Sequence, residues 1–168
     1  KNDSDQDARE FAARARLGIP PDAFVIGGIG RLDPRKRFDL LMAAFAAIKP
    51  SNRPLLLVIA GEGPARNELE AAAARLNLGD RCRLIGLQSD MPLVHHTLDL
   101  LVQSSESEGT QNVVLEAMAF ETPIVATDVG GTSELVRSEV DGLLVRPGEA
   151  DVLTAAMERV ILRPDEAK

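Results

Sequence analysis

Short apolar, β-branched runs alternate with stretches of helical periodicity along the chain. The runs at residues 24–30, 55–60, 82–86, 98–103, 123–127 and 143–145 predict strands. The periodic stretches at 7–17, 37–48, 65–76, 91–96, 112–120, 133–137 and 150–161 predict helices. Strand then helix, repeated, is the pattern of right-handed βαβ units around a parallel sheet. Uninterrupted runs such as Leu55-Leu56-Leu57-Val58-Ile59-Ala60 fit strands covered on both faces. Punctuation agrees: Gly18 ends the first helix, Pro20-Pro21 forbids its continuation, and Asp141-Gly142 and Pro147-Gly148 mark turns. The expected fold class is α/β, a parallel sheet with helices on both faces. Residues 1–16 are expected to form a linker and first helix, with the domain proper at 17–168. The polar opening Lys1-Asn2-Asp3-Ser4-Asp5-Gln6-Asp7 reads as linker, as in a domain excised from a larger protein.

Composition narrows the ligand classes. The chain has 168 residues, enough to bury a core, and no stretch approaches the length of a membrane span. With five Phe, no Trp and no Tyr it lacks the stacking platforms of a single-stranded nucleic-acid binder. A net charge of −7 also disfavours a general polyanion binder, so an anionic ligand must meet a local basic cluster. Cys82, the single cysteine, lies in an apolar run and is expected to be a small buried hydrophobe in a reducing compartment.

Open parallel sheets bind ligands beyond the carboxyl ends of their strands. After the first strand comes Gly27-Gly28-Ile29-Gly30-Arg31-Leu32-Asp33-Pro34-Arg35-Lys36-Arg37, with four basic residues ahead of the next helix. Cations there oppose the positive end of the helix dipole, a penalty that a bound phosphate reverses. The alternative is a solvated basic loop with no ligand. Two phosphate motifs fail here: Asp33 and Arg66 occupy the positions of the third glycine in any dinucleotide fingerprint, and no P-loop occurs.

The stretch Ser104-Ser105-Glu106-Ser107-Glu108-Gly109-Thr110-Gln111-Asn112-Val113-Val114-Leu115-Glu116 joins the fourth strand to an apolar helix. Glu108 belongs to the loop and Glu116 to the helix about one turn in. Apolar neighbours from Val113 to Phe120 predict that much of this helix is buried, where a carboxylate needs a partner. A cis-diol, such as the two hydroxyls of a ribose, could donate to both oxygens of Glu116. The other reading is a solvated stripe shared with Asn112. Glu106 is the weaker candidate. For metals, His95-His96 are adjacent, would diverge on a short helix and read as surface residues, and Asp3-Ser4-Asp5 has no strand before it.

Arg31, Lys36, Gly61-Glu62-Gly63-Pro64, the glutamates at 108 and 116, and Thr127-Asp128-Val129-Gly130-Gly131 closely resemble the donor domain of the family-four retaining glycosyltransferases. The resemblance runs from about Leu17 to beyond Pro147. It implies a Rossmann-like parallel sheet forming one half of a GT-B fold, in which a UDP- or GDP-linked sugar lies between this domain and an N-terminal acceptor domain. It further implies that Arg31 and Lys36 hold the diphosphate, Glu108 lies by the transferred sugar and Glu116 binds the ribose. Gly109, Thr110, Gln111, Asn112 and Val113 match the loop and helix start that contact sugar or phosphates, and Gly61, Gly63 and Leu87 match loops near the base. No cofactor and no metal are implied, because fixed cations serve the leaving group. Relatives work mostly on glycolipids and polysaccharides at the cytoplasmic side, with membrane contact made by the other domain. Thr110-Gln111 departs from the common pattern of a bulky residue and proline, which leaves the hexose open. A GT-B-like epimerase or phosphorylase, and a non-catalytic nucleotide-sugar module, are the competing readings.

Overall fold

The computed structural model describes residues 3–109 and 112–163. Its six strands are β1 (Phe24–Ile29), β2 (Leu55–Ala60), β3 (Cys82–Gly86), β4 (Leu100–Gln103), β5 (Ile124–Thr127) and β6 (Leu143–Val145). They form one sheet of order β3-β2-β1-β4-β5-β6, with each neighbouring pair parallel. The predicted strands are all present, trimmed by one or two residues at some ends.

The strand order places β1 and β4 side by side, so the chain winds outward one way through β2 and β3, then returns and winds the other way. That reversal is the topological switch point of a doubly wound sheet, the crevice at which such folds take ligands. The loops leaving β1 and β4 flank it.

Period-two alternation feeds two separate cores. Phe24, Ile26, Leu57, Ile59, Leu100 and Val102 pack on one face with α2 (Phe38–Ala46), α3 (Arg66–Arg75) and α7 (Ala150–Leu162). Val25, Leu56, Val58, Leu101 and Ala126 face the other way, against Val114 and Ala117 of α5 (Asn112–Ala119) and Leu135 of α6 (Thr132–Leu135). A short helix, α4 (Met91–His95), begins at Asp90, whose carboxylate accepts from Leu93 N. No helix among the described residues is long and apolar enough to cross a membrane.

The first helix, α1 (Asp3–Arg16), starts four residues earlier than its apolar pattern predicts, so most of the expected polar leader is helical. It closes at Gly18 in the left-handed region, where Ile19 N returns to Arg14 O. Arg14 is buried. Its guanidinium donates to Pro21 O and Ala23 O and pairs with Asp99 at 2.7 Å, and Asp99 also accepts from Val25 N. One charged side chain thus ties α1 to the amino-terminal edge of β1 and β4. Cys82 is half-buried on the edge strand β3, and burial pushes its thiol from 9.0 to about 11.

Candidate functional site

Residues leaving β1 do not enter the helix at Arg37 as the periodicity predicts. A 3-10 turn, Pro34–Lys36, intervenes, and Arg37 takes a left-handed conformation before α2 begins at Phe38. Asp33 caps the turn by accepting from Arg35 N, and the Arg35 guanidinium beside it holds its carboxyl below the usual range. The strained residue is held from across the crevice: Ser104 Oγ lies 2.9 Å from Lys36 O and 3.0 Å from Arg37 O, and Glu106 N donates to Arg35 O at 2.8 Å. The Arg37 guanidinium pairs with Glu106, which gives that acid a structural role. From the other side Thr127 Oγ1 donates to Ser105 O at 2.7 Å. The loops after β1, β4 and β5 are therefore one hydrogen-bonded body.

Within it Lys36 Nζ lies 2.6 Å from Glu108 Oε1 and 2.8 Å from Oε2, and Ser105 Oγ donates to Glu108 Oε1 at 2.5 Å. The Glu108 side chain is only 8% exposed, whereas Lys36 keeps 26%. Both line an open cleft of about 200 Å³ together with Gln103, Ser104, Asn112 and Val113. That is below the roughly 300–1,000 Å³ of a pocket that encloses a ligand by itself. Gln103, at the carboxyl end of β4, has its amide Nε2 buried without a partner among the described residues. Gly109 is exposed, with open space where a side chain would stand. Thr110 and Gln111 lie outside the described residues. Arg31 is exposed and, among the described residues, forms no ion pair, so its charge faces solvent beside the cleft loop.

Gly61 and Gly63 have a packing reason to be glycine, beside the place near the base that the resemblance implies. A β-carbon on Gly61 would stand 1.8 Å from Gly30 O, and one on Gly63 would stand 2.5 Å from Leu32 O. They are glycine because the loop after β2 lies directly against the loop after β1, joined by Gly30 N to Ala60 O and Leu32 N to Glu62 O. Leu87 is 80% exposed, in the loop after β3.

Glu116 is not buried as its apolar neighbours predict. The helix α5 buries only the stripe of Val114 and Ala117, and leaves Leu115 and Met118 outward. Glu116 lies one turn beyond Asn112 on the same side of α5. Its Oε2 is 3.1 Å from His95 Nε2, while 43% of its side chain remains open. The expectation that His95 and His96 are surface residues fails for His95, which is buried, and His96 is half-buried. Nor do the two diverge: α4 turns the face carrying Val94 and His95 inward, the His95 ring stacks on Phe120 at 4.9 Å, and His96 meets the edge of the same ring at 5.0 Å. Sequence reasoning missed His95, Ser104, Ser105 and Thr127. The first was signalled by the spacing of Met91, Val94, His95 and Leu98 along one helical face.

The glycosyl transferases group 1 family model matches residues 10–168. The chain belongs to this family. Among its relatives, a D-inositol 3-phosphate glycosyltransferase of Saccharomonospora viridis is 38% identical over 165 residues, covering 92% of this chain and 38% of the relative. An alpha-D-kanosaminyltransferase of Streptomyces kanamyceticus is 32% identical over 165 residues, covering 97% of this chain and 42% of the relative. Of solved structures, that of Anabaena Alr3699/HepE in complex with UDP-glucose superposes with a TM-score of 0.88 at 30% identity, over 95% of this chain and 44% of that one. The chain thus spans about two fifths of the length of these relatives, and its Rossmann-like sheet is that of a C-terminal GT-B glycosyltransferase domain.

Proposed function

We propose that this domain binds a nucleoside-diphosphate sugar for retaining transfer of a hexose. The carrying observation is the meeting of Lys36 and Glu108 at the switch point, beside the start of α5. In this reading the sugar C1–O bond breaks with its electron pair passing to the diphosphate, whose growing charge falls to Lys36, Arg31 and the α5 N-terminus, while the acceptor hydroxyl oxygen bonds to C1 from the same face and its proton passes to the departing diphosphate. Lys36 turns from Glu108 to the phosphate, and Glu108 faces the sugar. Asn112 and Val113, with Gly109 and the adjoining Thr110 and Gln111, contact sugar or phosphate, and Glu116 takes the ribose. Leu87 and the loop after β2 stand toward the base. UDP is favoured over GDP because a relative of this fold was solved with UDP-glucose. The acceptor, a glycolipid or polysaccharide, would be held by an N-terminal domain of the same polypeptide, and any membrane contact would be made there.

NMR titration of the chain with UDP, GDP and ADP tests the reading. Resonances of residues 31–37, 108–109 and 112–116 should move, and Lys36→Ala should weaken the diphosphate while sparing the nucleoside. No movement with any nucleoside diphosphate at millimolar concentration defeats it.

A further inference from the structure

We infer that His95 is a positioning residue for Glu116, fixing the carboxylate that grips the donor ribose; the inference rests on the ribose reading above. The His95 side chain is fully buried, and its one polar contact among the described residues is Nε2 with Glu116 Oε2. Nδ1 is buried with no partner among the described residues. Beside a carboxylate, Nε2 must carry the proton and donate, and the proton-free Nδ1 then leaves no buried N–H unpaired. The ring cannot swing away, because it stacks on Phe120 at 4.9 Å with planes 6° apart, and His96 closes on the edge of the same ring.

A buried polar ring is costly to place, and a ring present only to fill space needs no donor. Here the single donor is aimed at a side chain that is nearly half exposed. The bond engages one oxygen of Glu116 and leaves the carboxylate's remaining lone pairs open to hydroxyl donors. A free glutamate on an exposed helix face samples several rotamers, and fixing one beforehand removes that ordering cost from ligand binding. Spacing marks His95 only as inward-facing; the fold brings it to Glu116, on the adjoining helix.

The test compares UDP with 2′-deoxy-UDP by titration against the wild-type chain and the variants Glu116→Ala, His95→Phe, His95→Gln and His95→Asn. The wild type should favour UDP, and Glu116→Ala should erase the preference. His95→Phe keeps the stacked ring but not the donor, and should lose roughly three- to tenfold of that preference. His95→Gln, whose amide reaches the position of Nε2, should retain it, whereas the shorter His95→Asn should not. Adding His95→Phe to Glu116→Ala should cost nothing further. If Glu116→Ala erases the preference but His95→Phe and His95→Asn keep it, His95 is only a core ring and the inference fails. Equal loss in the Gln, Asn and Phe variants also rejects it. If Glu116→Ala leaves the preference unchanged, or the wild type has none, the ribose reading itself falls and takes this inference with it.

Discussion

Replacing Glu108 by Gln should tighten the binding of UDP, although Glu108 lies in the proposed sugar site. Lys36 is held by both oxygens of Glu108 at 2.6 and 2.8 Å. At about 2.7 Å the attraction is about 1.5 kcal/mol in a water-like medium and about 6 kcal/mol at an effective dielectric near 20. Lys36 is a quarter exposed and Glu108 nearly buried, so the pair lies between these limits, and desolvation removes most of the larger figure. A net coupling of about 1–1.5 kcal/mol remains for a phosphate to displace. Glu108→Gln removes that competition and a negative charge beside the phosphates, so UDP should bind roughly five- to tenfold more tightly. Lys36→Met should instead weaken UDP by about tenfold or more, the loss of a charge-assisted hydrogen bond. Calorimetric or NMR titration at fixed salt gives both constants, with a denaturant melt of each variant to show that it is folded. The reasoning is refuted if Glu108→Gln weakens UDP as much as Lys36→Met does, for Glu108 would then be holding Lys36 in its phosphate-binding position.

Further outcomes follow from the fold. Arg14→Met leaves Asp99 and two carbonyl oxygens without their buried donor and should lower unfolding free energy by about 3 kcal/mol in a urea titration. Gly61→Ala drives a methyl to 1.8 Å from Gly30 O, so it should destabilise by about 2–4 kcal/mol and perturb amide resonances at 30–32, because backbone cannot move aside as a side chain does. The Cys82 thiol, raised by burial to about 11, should alkylate slowly at neutral pH, with a rate that climbs only as pH approaches that value. The fold favours the neutral thiol, so stability should fall as pH rises from about 9 toward 11, which melts at pH 8, 9 and 10.5 would reveal; flat stability across that range contradicts it.

The sheet was legible because long apolar runs bounded by turn residues leave few alternatives to a parallel strand, and β2 is found where Leu55–Ala60 predicts it. The Lys36–Glu108 neighbourhood was legible too, since both lie in loops that parallel topology sends to one end of the sheet. What sequence could not supply was the partner of each polar group. The start of α2 moved because Ser104, 67 residues away from Arg37, stabilises a turn that local periodicity does not record. Glu116 looked buried because its neighbours are apolar, yet a helix on one face of a sheet hides only one stripe. His95 looked exposed because adjacent residues on a short helix are expected to diverge, whereas Phe120 of a later segment gathers both rings. The glycines at 61 and 63 matched a ligand-binding motif while answering to the backbone of Gly30 and Leu32.

The cross-crevice contacts of Ser104 with Lys36 and Arg37, and of Glu106 with Arg35, bear on how donor preference in this domain can be redesigned. Grafting a relative's 31–37 segment alone would place its main-chain carbonyls against an unmatched Ser104 and Glu106, and grafting the 104–109 segment alone would unlatch the left-handed Arg37. The two stretches form a single exchangeable cassette, and chimaeras that transplant them together should retain foldedness where single-loop chimaeras lose it.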